Sequence, residues 1–427
     1  MKQLLTILCM CLVFASTAQT AKTILSPATP ASAGFSDERL KRIDKKIQDW
    51  IDAKLVNGGV AFIAREGKIV YNKSFGYADM EKKIPMRTDY IFRIASQTKA
   101  ITSLAILILL EEGKLTLDDP VSRYIPEFAK PQVVTKFNLS DTTWTSEPAK
   151  REITIKDLIT HTSGIGYAQI GTPEAQALYK KYGITAGLGV GGHSLSTDMR
   201  KLGKLPLFSN PGEKWTYSLG DDVLGLVVEV ISGMNLEQFF RTKIFDPLGM
   251  NDTWFYLPKD KHSRLVKLYT HDSTGMKPFP AQEDILGEKV YVDFPNKNLG
   301  YYSGGGGLSS TVKDYAIFLQ MLLNGGTYNG KQILSRNTVR MMLSNQFKED
   351  QPGMIPFGLG FGINTLFGSA GTPKNEGTFE WGGAFGTQYW VDPKEKIVAL
   401  IYFNKLPLVA PSSPSFEILT YQALTND

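Results

Sequence analysis

The sequence predicts a mixed α/β (α+β) fold with two lobes, one an antiparallel sheet flanked by helices and the other mostly helical. Strand patterns lie near both ends of the chain, in GGVAFIAREGKIVYNKSFG (58–76), TFEWGGAFGTQYWVDP (378–393) and KIVALIYFN (396–404). Helical periodicity and loop signals dominate between them. We therefore expect one lobe from about residues 36–92 and 305–427 and a helical lobe from about 93–304. A ligand cleft is expected between the lobes.

The composition is that of a globular protein without a nucleic-acid surface. The chain has 427 residues, of which 42% are hydrophobic and 11% aromatic, enough for a sizeable core. Its formal net charge of +5 is spread along the chain without basic blocks, which argues against nucleic acid as a partner.

The first residues resemble a secretory signal. MKQLLTILCMCLVFASTAQT has an early lysine, a short apolar run and small residues up to Ala18. We expect a signal peptide over 1–18, a linker over 19–35 and one domain over 36–427. Cleavage removes Cys9 and Cys11, so the mature chain would carry no disulfide and no cysteine metal site. The apolar run is short for a membrane span and is removed with them, so no stable membrane insertion is expected after cleavage. The predicted location is exported, periplasmic or extracellular.

Local signals predict several elements in chain order. Ser36 is a candidate N-cap for an amphipathic helix to about Val56, and Glu66-Gly67 is a candidate hairpin turn. Thr154 is expected to cap a helix with Asp157 at its third position. Further helices are expected over 222–231, 236–244, from Ser310 through Leu322, and in the final SFEILTYQALT.

Two Ser-x-x-Lys patterns occur, and their surroundings distinguish them. Ser96 and Lys99 stand at the head of AITSLAILILL, a helix apolar on most faces, so the two side chains share a face of a buried helix. Burial is expected to lower the pKa of Lys99, allowing a neutral amine to accept the serine proton. The alternative is an N-cap serine beside a lysine that snorkels to solvent. Ser310 and Lys313 form the other copy, which we interpret as a helix cap with an exposed lysine.

The motifs in their order resemble the serine β-lactamase/penicillin-binding-protein superfamily, in particular its class C-like branch with family VIII carboxylesterases. The matching segments are SQTK, LEEGKLTLDDPVSRYIPEF, ITIKDLITHTSGI, NPGEKWTYSLGDDVLG, GGGGLSSTVKDYAIFL and WGGAFGTQYWVDPKE. The resemblance covers about residue 36 to the C-terminus and implies the β-lactamase/transpeptidase-like fold. It also implies that Tyr217 relays protons beside Ser96 and Lys99, and that the backbone N–H groups of Ser96 and Ala384 form an oxyanion hole.

Two positions depart from the β-lactamase pattern. Leu219 stands where the second motif usually has asparagine, and Trp381, before Gly382 and Gly383, stands where the third motif usually has lysine or histidine. All four residues are predicted to contact substrate. The departures remove polar partners for a β-lactam and are shared with the esterase branch. His161, in the HTSG segment, is interpreted as structural.

The function that the resemblance implies is a serine hydrolase that cleaves carboxylic esters through an acyl-enzyme on Ser96. The alternatives are a β-lactamase, a D-amino-acid peptidase or an acyltransferase of the same superfamily. An alternative of another class is a penicillin-recognising sensor domain that acylates without turning over. No metal or organic cofactor is implied, and the expected partner is a small-molecule ester or amide. The sequence leaves the natural substrate and the oligomeric state open.

Overall fold

The structure, a computed structural model, describes residues 23–273, 275–285, 288–348, 351–407 and 412–425. The predicted signal peptide, residues 1–18, lies outside the described residues.

In chain order, the strands of the described residues are β1 (Ser26–Pro27), β2 (Gly58–Arg65), β3 (Lys68–Asp79), β4 (Ile84–Pro85), β5 (Phe92–Arg93), β6 (Gln132–Asn138), β7 (Thr143–Pro148), β8 (Tyr269–Asp272), β9 (Gly275–Pro278), β10 (Gln282–Ile285), β11 (Glu288–Tyr291), β12 (Ser309–Ser310), β13 (Thr327–Tyr328), β14 (Lys331–Gln332), β15 (Gly362–Ile363), β16 (Phe379–Gly383), β17 (Thr387–Asp392) and β18 (Ile397–Tyr402). The helices are α1 (Asp37–Asp52), α2 (Thr98–Glu111), α3 (Ile155–Ile159), α4 (Pro173–Tyr182), α5 (Leu195–Leu202), α6 (Gly220–Ser232), α7 (Leu236–Phe240), α8 (Asp246–Leu248), α9 (Val312–Leu323), α10 (Arg336–Met342), α11 (Leu366–Ser369) and α12 (Ser412–Tyr421).

The main sheet is built from both ends of the chain. Its strand order is β1-β3-β2-β18-β17-β16-β15, with β4 added beside β3. The pairs are antiparallel except that β1 runs parallel to β3, where Ser26 pairs with Lys68. Within the predicted linker, backbone hydrogen bonds from residues 26 and 28 to β3 and its turn attach the chain to the sheet edge.

Locally determined elements match their predictions. The Ser36 side chain accepts a hydrogen bond from Arg39 N, and α1 follows, ending at Asp52 rather than near Val56. Glu66 and Gly67 have φ values of 54° and 77°, the left-handed pair that a two-residue hairpin turn of the favoured twist requires. The Thr154 hydroxyl and the carboxylate at the third helical position form a reciprocal capping box at α3.

The sheet is covered on both faces, which explains why its central strands are buried along their length. In β2, Phe62 packs into the main core against the helical lobe, while its neighbours Ala61 and Ile63 pack into a second core. That second core also contains Ile43 and Ile47 of α1. This alternation follows from the two-residue repeat of a strand.

The structure corrects the helix start near residue 310. Ser310 lies in β12, fully buried, and its hydroxyl bonds to that of Thr253 at 2.8 Å. The cap of α9 is instead Thr311, whose hydroxyl accepts from Asp314 N. Lys313 is exposed, as predicted. Ser310 was predicted as the cap because it comes shortly after the glycine run, at the start of a helical pattern, but its pairing with β5 cannot be seen locally.

Among the described residues, no single helix is long and apolar enough to cross a membrane. The two consecutive segments Gly220–Ser232 and Leu236–Leu248 meet the length and composition criteria only as a pair, and they are bent by 78° relative to each other.

Candidate active site

Ser96 lies in a tight turn between the sheet lobe and the head of α2. The turn spans Ala95–Gln97, and Ala95 has a φ of 43°, a left-handed conformation that is strained for alanine. The turn is fixed from below: the hydroxyl of Tyr315 donates to the carbonyl of Gln97 at 2.8 Å, and that of Tyr402 donates to its side chain. Ser96 therefore lies on a strained turn that hydrogen bonds from two tyrosines fix in place.

A run of four glycines, 304–307, allows the chain to pass closely between α2 and α6. A Cβ at Gly304 would lie 2.5 Å from the Asp221 carbonyl oxygen, and one at Gly305 would lie 2.6 Å from Asp222 Oδ2. In return, Lys99 Nζ donates to the Gly305 carbonyl at 2.5 Å and the Thr102 hydroxyl donates to the Gly304 carbonyl at 2.7 Å. The run therefore positions the ammonium of Lys99.

The structure brings Ser96, Lys99 and Tyr217 together. The Tyr217 hydroxyl donates to Ser96 Oγ at 2.6 Å, and Lys99 Nζ lies 4.7 Å from the centre of the Tyr217 ring. Tyr167 stacks on Tyr217 with ring centres 5.5 Å apart and planes within 4° of parallel. A hydroxyl, a phenol and a cation are thus arranged in one proton-transfer group.

The charge state of Lys99 differs from the prediction. Burial by itself lowers the pKa of this amine, but the oxygens of Tyr167, Tyr217 and Asp221 raise it by more, so the net pKa lies above its ordinary value. Lys99 is only 2% exposed. The predicted lowering of the Lys99 pKa is therefore wrong in direction, and these surroundings favour the ammonium form of Lys99.

His161, interpreted from the sequence as structural, packs directly against Tyr217. Its ring centre lies 4.9 Å from that of Tyr217, its Nδ1 lies 3.2 Å from Ser218 Oγ, and its Nε2 lies 3.6 Å from Asp221 Oδ2. Burial, followed by the Lys99 charge, lowers the pKa of His161 to about 3. The imidazole is therefore neutral near pH 7 and supports the tyrosine without exchanging protons there.

Two adjacent carboxyl groups at the head of α6 lie behind the proton-transfer group. Burial raises the pKa of Asp221 to about 8 and that of Asp222 to about 6, and in both cases Lys99 opposes the shift. Asp222 accepts from the Ser303 hydroxyl at 2.8 Å. The sequence feature that could have revealed this pair is Asp-Asp at the start of an apolar helix. Acidic side chains are rarely buried without a partner, so their presence there indicates a functional site.

The third motif approaches Ser96 through its second glycine. A Cβ at Gly383 would lie 2.2 Å from the carbonyl oxygen of Ile94, so only glycine fits beside the segment that leads into Ser96. Ala384 follows directly, and Ser96 and Ala384 line the same cavity. Gly382 lies on the strand next to Trp381, where both line a separate pocket that also contains Lys374, Glu380 and Glu417.

Of the other two residues predicted to contact substrate, one lies beside the proton-transfer group and the other lies in the core. The Trp381 ring lies 5.9 Å from that of Tyr217 and 5.4 Å from that of Phe357, at the edge of an aromatic cluster around the proton-transfer group. Leu219, in contrast, is fully buried in the main core and absent from the cavity lining. The predicted substrate contact through the Leu219 side chain is thus wrong, because the residue closes the core at the start of α6.

A cavity of about 180 Å³ opens beside Ser96. Its wall is mostly apolar, with none of the described lining residues charged, and includes Leu188, Leu268, Phe279, Val292, Phe385 and Leu406. Part of the lining comes from residues 167–188, a segment whose structure the sequence did not predict. The described residues contain no cluster of three or more His, Cys, Asp or Glu side chains arranged for a metal ion.

A serine on a strained turn lies between a sheet lobe and a helical lobe, with a hydrogen bond from a tyrosine, a buried lysine and a glycine-bearing strand beside it. This arrangement defines a serine hydrolase of the β-lactamase/transpeptidase-like fold. The family model named Beta-lactamase matches residues 43–416. The chain belongs to this family.

Relatives agree with this class. Esterase EstB of Burkholderia gladioli is 33% identical over 380 residues, which cover 85% of this chain and 90% of EstB. The solved structure of EstCE1, a hydrolase with promiscuous acyltransferase activity, has a TM-score of 0.76 at 29% identity and covers 90% of this chain and 98% of its own. Simvastatin synthase (LovD) from Aspergillus terreus shares the fold, with a TM-score of 0.73 at 21% identity, covering 92% of this chain and 100% of its own.

Proposed function

We propose that this protein is a carboxylesterase that hydrolyses esters of short to medium apolar acyl groups through an acyl-enzyme on Ser96. The observation that carries the proposal is the uncharged, mostly apolar cavity that opens beside Ser96. A protein cavity of about 150 Å³ accommodates a benzene molecule. A cavity of about 180 Å³ therefore suits an acyl group of roughly six carbons.

Acylation begins once Tyr217 has released to solvent the proton that it donates to Ser96 in the structure. Ser96 Oγ then bonds to the ester carbonyl carbon as the Tyr217 oxygen accepts the serine proton. The 2.6 Å contact between the two oxygens provides the path, and the Lys99 ammonium stabilises the phenolate. The carbonyl oxygen becomes an oxyanion that the backbone N–H groups of Ser96 and Ala384 stabilise. Collapse breaks the bond to the alkoxide, which takes the proton from Tyr217.

Deacylation repeats these steps with water. Tyr217 accepts a proton from the water that attacks the acyl-enzyme carbonyl, and it returns this proton to Ser96 Oγ as the acid leaves. An alcohol in place of the water would give a new ester instead, so the ratio of hydrolysis to transfer depends on which nucleophile occupies this position. Water at its ordinary concentration favours hydrolysis.

The same surroundings disfavour β-lactams. Trp381 provides an aromatic face where the family's third motif usually provides a cation, and none of the described residues that line the cavity carries a charge to pair with a carboxylate. A polar group buried without a partner costs binding free energy. Apolar acyl surface, in contrast, gains about 25 cal/mol per Å² buried.

The test compares kcat/KM for p-nitrophenyl butyrate, nitrocefin and a D-alanyl-D-alanine peptide on the same purified protein. We expect the ester to be preferred by at least about a hundred-fold, since an unpaired buried polar group costs about 1–3 kcal/mol and a β-lactam presents more than one. A preference for nitrocefin or the peptide contradicts the proposal. An acylation burst without steady turnover of any substrate supports the sensor alternative.

Two variants make the test specific to Ser96. Ser96→Ala should abolish hydrolysis and labelling by a fluorophosphonate probe. Ser310→Ala is the matched control, because it alters the other Ser-x-x-Lys serine, which is buried in β12. Labelling that persists in Ser96→Ala and disappears in Ser310→Ala would overturn the nucleophile assignment.

We also propose that the protein is exported after removal of about 18 residues. The N-terminal sequence pattern supports this proposal. Expression of the full chain in a Gram-negative host, followed by fractionation and N-terminal sequencing, tests it. Recovery in the cytoplasm with the first residues intact contradicts it.

A further inference from the structure

Arg93 is a buried cation three residues before Ser96. It is 3% exposed, and its guanidinium donates to the carbonyl of Val292 at 2.9 Å, the carbonyl of Val266 at 2.8 Å and the side-chain oxygen of Asn404 at 2.9 Å. All three acceptors are neutral. They lie on separate stretches of chain that Arg93 joins to β5.

Each of these stretches contributes to the wall of the cavity beside Ser96. Val292 lines the cavity itself, while Leu268 and Leu406 stand two residues after Val266 and Asn404 respectively. Leu268 also belongs, with Ala95, Phe294 and Phe385, to a small hydrophobic cluster separate from the two larger cores. This side of the cavity wall thus packs in a small cluster, whereas Tyr167 and Ala186 on the other side belong to the main core.

A guanidinium is well suited to this connection. Its planar fork directs several donors at once, whereas a lysine ammonium at the same place could not reach three acceptors with the same geometry. Burial lowers the pKa of Arg93 to about 10, partly offset by Asp293, so the group remains charged at neutral pH. A buried cation with neutral partners is costly to retain, which indicates a role beyond filling space.

We propose that Arg93 is a positioning residue that holds the acyl cavity open to its full depth and so sets the preference for longer acyl groups over acetyl. The proposal rests on the proposed esterase function. It concerns the far wall of the cavity rather than the chemistry at Ser96, so loss of the three hydrogen bonds should affect substrates according to their acyl length.

The experiment measures kcat/KM for p-nitrophenyl hexanoate relative to p-nitrophenyl acetate in the wild type, Arg93→Lys and Asn404→Ala. We expect the hexanoate-to-acetate ratio to fall at least about four-fold in both variants, the worth of one buried CH2 group. The fall should appear mainly as a raised KM for hexanoate. Asn404→Ala removes a single acceptor and keeps the test decisive where Arg93→Lys does not fold.

Arg241→Lys is the matched control. Arg241 is also largely buried and donates to backbone carbonyls, those of Met250 and Thr253, but it does not line the cavity. Its replacement should lower the melting temperature while leaving the hexanoate-to-acetate ratio within about two-fold of the wild type. A parallel fall of both esters in the folded Asn404 variant would show a merely structural role and overturn the proposal.

A second readout separates this proposal from the esterase assignment. p-Nitrophenyl phosphonates with a methyl or a hexyl group react once with Ser96, forming a P–O bond and releasing p-nitrophenolate, without needing turnover. If the wild type is labelled but hydrolyses no ester, the proposed function fails while the hexyl-to-methyl labelling ratio still tests Arg93. An unchanged labelling ratio in the variants overturns the proposal for Arg93 alone. A wild type that is neither labelled nor active overturns both.

Discussion

Replacing Tyr217 with phenylalanine deletes a single oxygen atom from the site. The phenyl ring keeps its neighbours, since the ring centres of His161, Tyr167 and Trp381 lie 4.9, 5.5 and 5.9 Å from that of Tyr217. What is lost is the 2.6 Å hydrogen bond to Ser96 and the oxygen next to the Lys99 ammonium. The change therefore removes proton transfer while preserving the shape of the site.

The expected loss of rate follows from the removal of the phenol oxygen alone. General acid–base groups contribute about 10² to 10⁴ in rate, which corresponds to about 3–5 kcal/mol of transition-state stabilisation. The folded state loses one hydrogen bond, worth about 1 kcal/mol. Tyr217→Phe should thus reduce kcat for p-nitrophenyl butyrate by about a hundred-fold or more with a small change in melting temperature.

Tyr167→Phe is the control for this prediction. It removes a phenol from the same stack, also within 5.5 Å of the Lys99 ammonium, and leaves the Tyr217–Ser96 bond in place. Its kcat should remain within about ten-fold of the wild type. Equal losses in the two variants, or a Tyr217→Phe enzyme of near-normal rate, would refute the assignment of Tyr217 as the proton carrier.

Three further predictions concern the surroundings of this group. Lys99→Ala should cost about a thousand-fold in kcat, and combining it with Tyr217→Phe should cost much less than the product of the two, as measured by steady-state kinetics; a multiplicative loss contradicts a shared step. Burial raises the pKa of Asp221 to about 8, so between about pH 4 and pH 8 the folded state holds a proton that the unfolded chain has lost. The protonated carboxyl group therefore contributes its full share of stability below about pH 4, and this share is lost as the pH rises through 8. Asp221→Asn should therefore make the decline of unfolding free energy between pH 4 and 8 shallower in urea titrations, and an unchanged slope would count against the buried acid. Gly383→Ala, whose Cβ would meet the Ile94 carbonyl, should destabilise the fold by about 1–3 kcal/mol and lower kcat/KM, whereas normal activity and stability would mean that the strand can withdraw without disturbing the site.

Sequence reasoning succeeded where the determinants are local. The turn at Glu66-Gly67 and the capping box at Thr154 depend on residues within a few positions, and both agree with the structure. The cap near residue 310 was displaced by one position because pairing of β12 with β5, about two hundred residues earlier in the chain, decides where the strand ends. The β6–β7 hairpin was not predicted at all, since its strands are largely exposed and lack a strong apolar alternation.

At the active site, too, sequence reasoning was limited by contacts between distant parts of the chain. The motif order placed Ser96, Lys99 and Tyr217, which the structure brings together. The pKa direction of Lys99 could not be predicted from burial alone, because it depends on oxygens of residues about 70 to 120 positions away. Leu219 was assigned by its place in a motif, and only the three-dimensional packing shows that its side chain points into the core.

The order of synthesis gives the sheet a consequence for how the enzyme matures. Its central pair joins β2 to β18, and the side chain of Arg65 bonds to the carbonyl of Glu395, 330 positions later. Contacts this distant form late and slow the folding of a domain. The first hairpin therefore leaves the ribosome with one edge unpaired, and the strand carrying Gly383 completes the site only near the end of translation. A chain cut shortly after Ala384 would possess every residue of the proton-transfer group and still lack β18, so it should remain inactive and liable to aggregate.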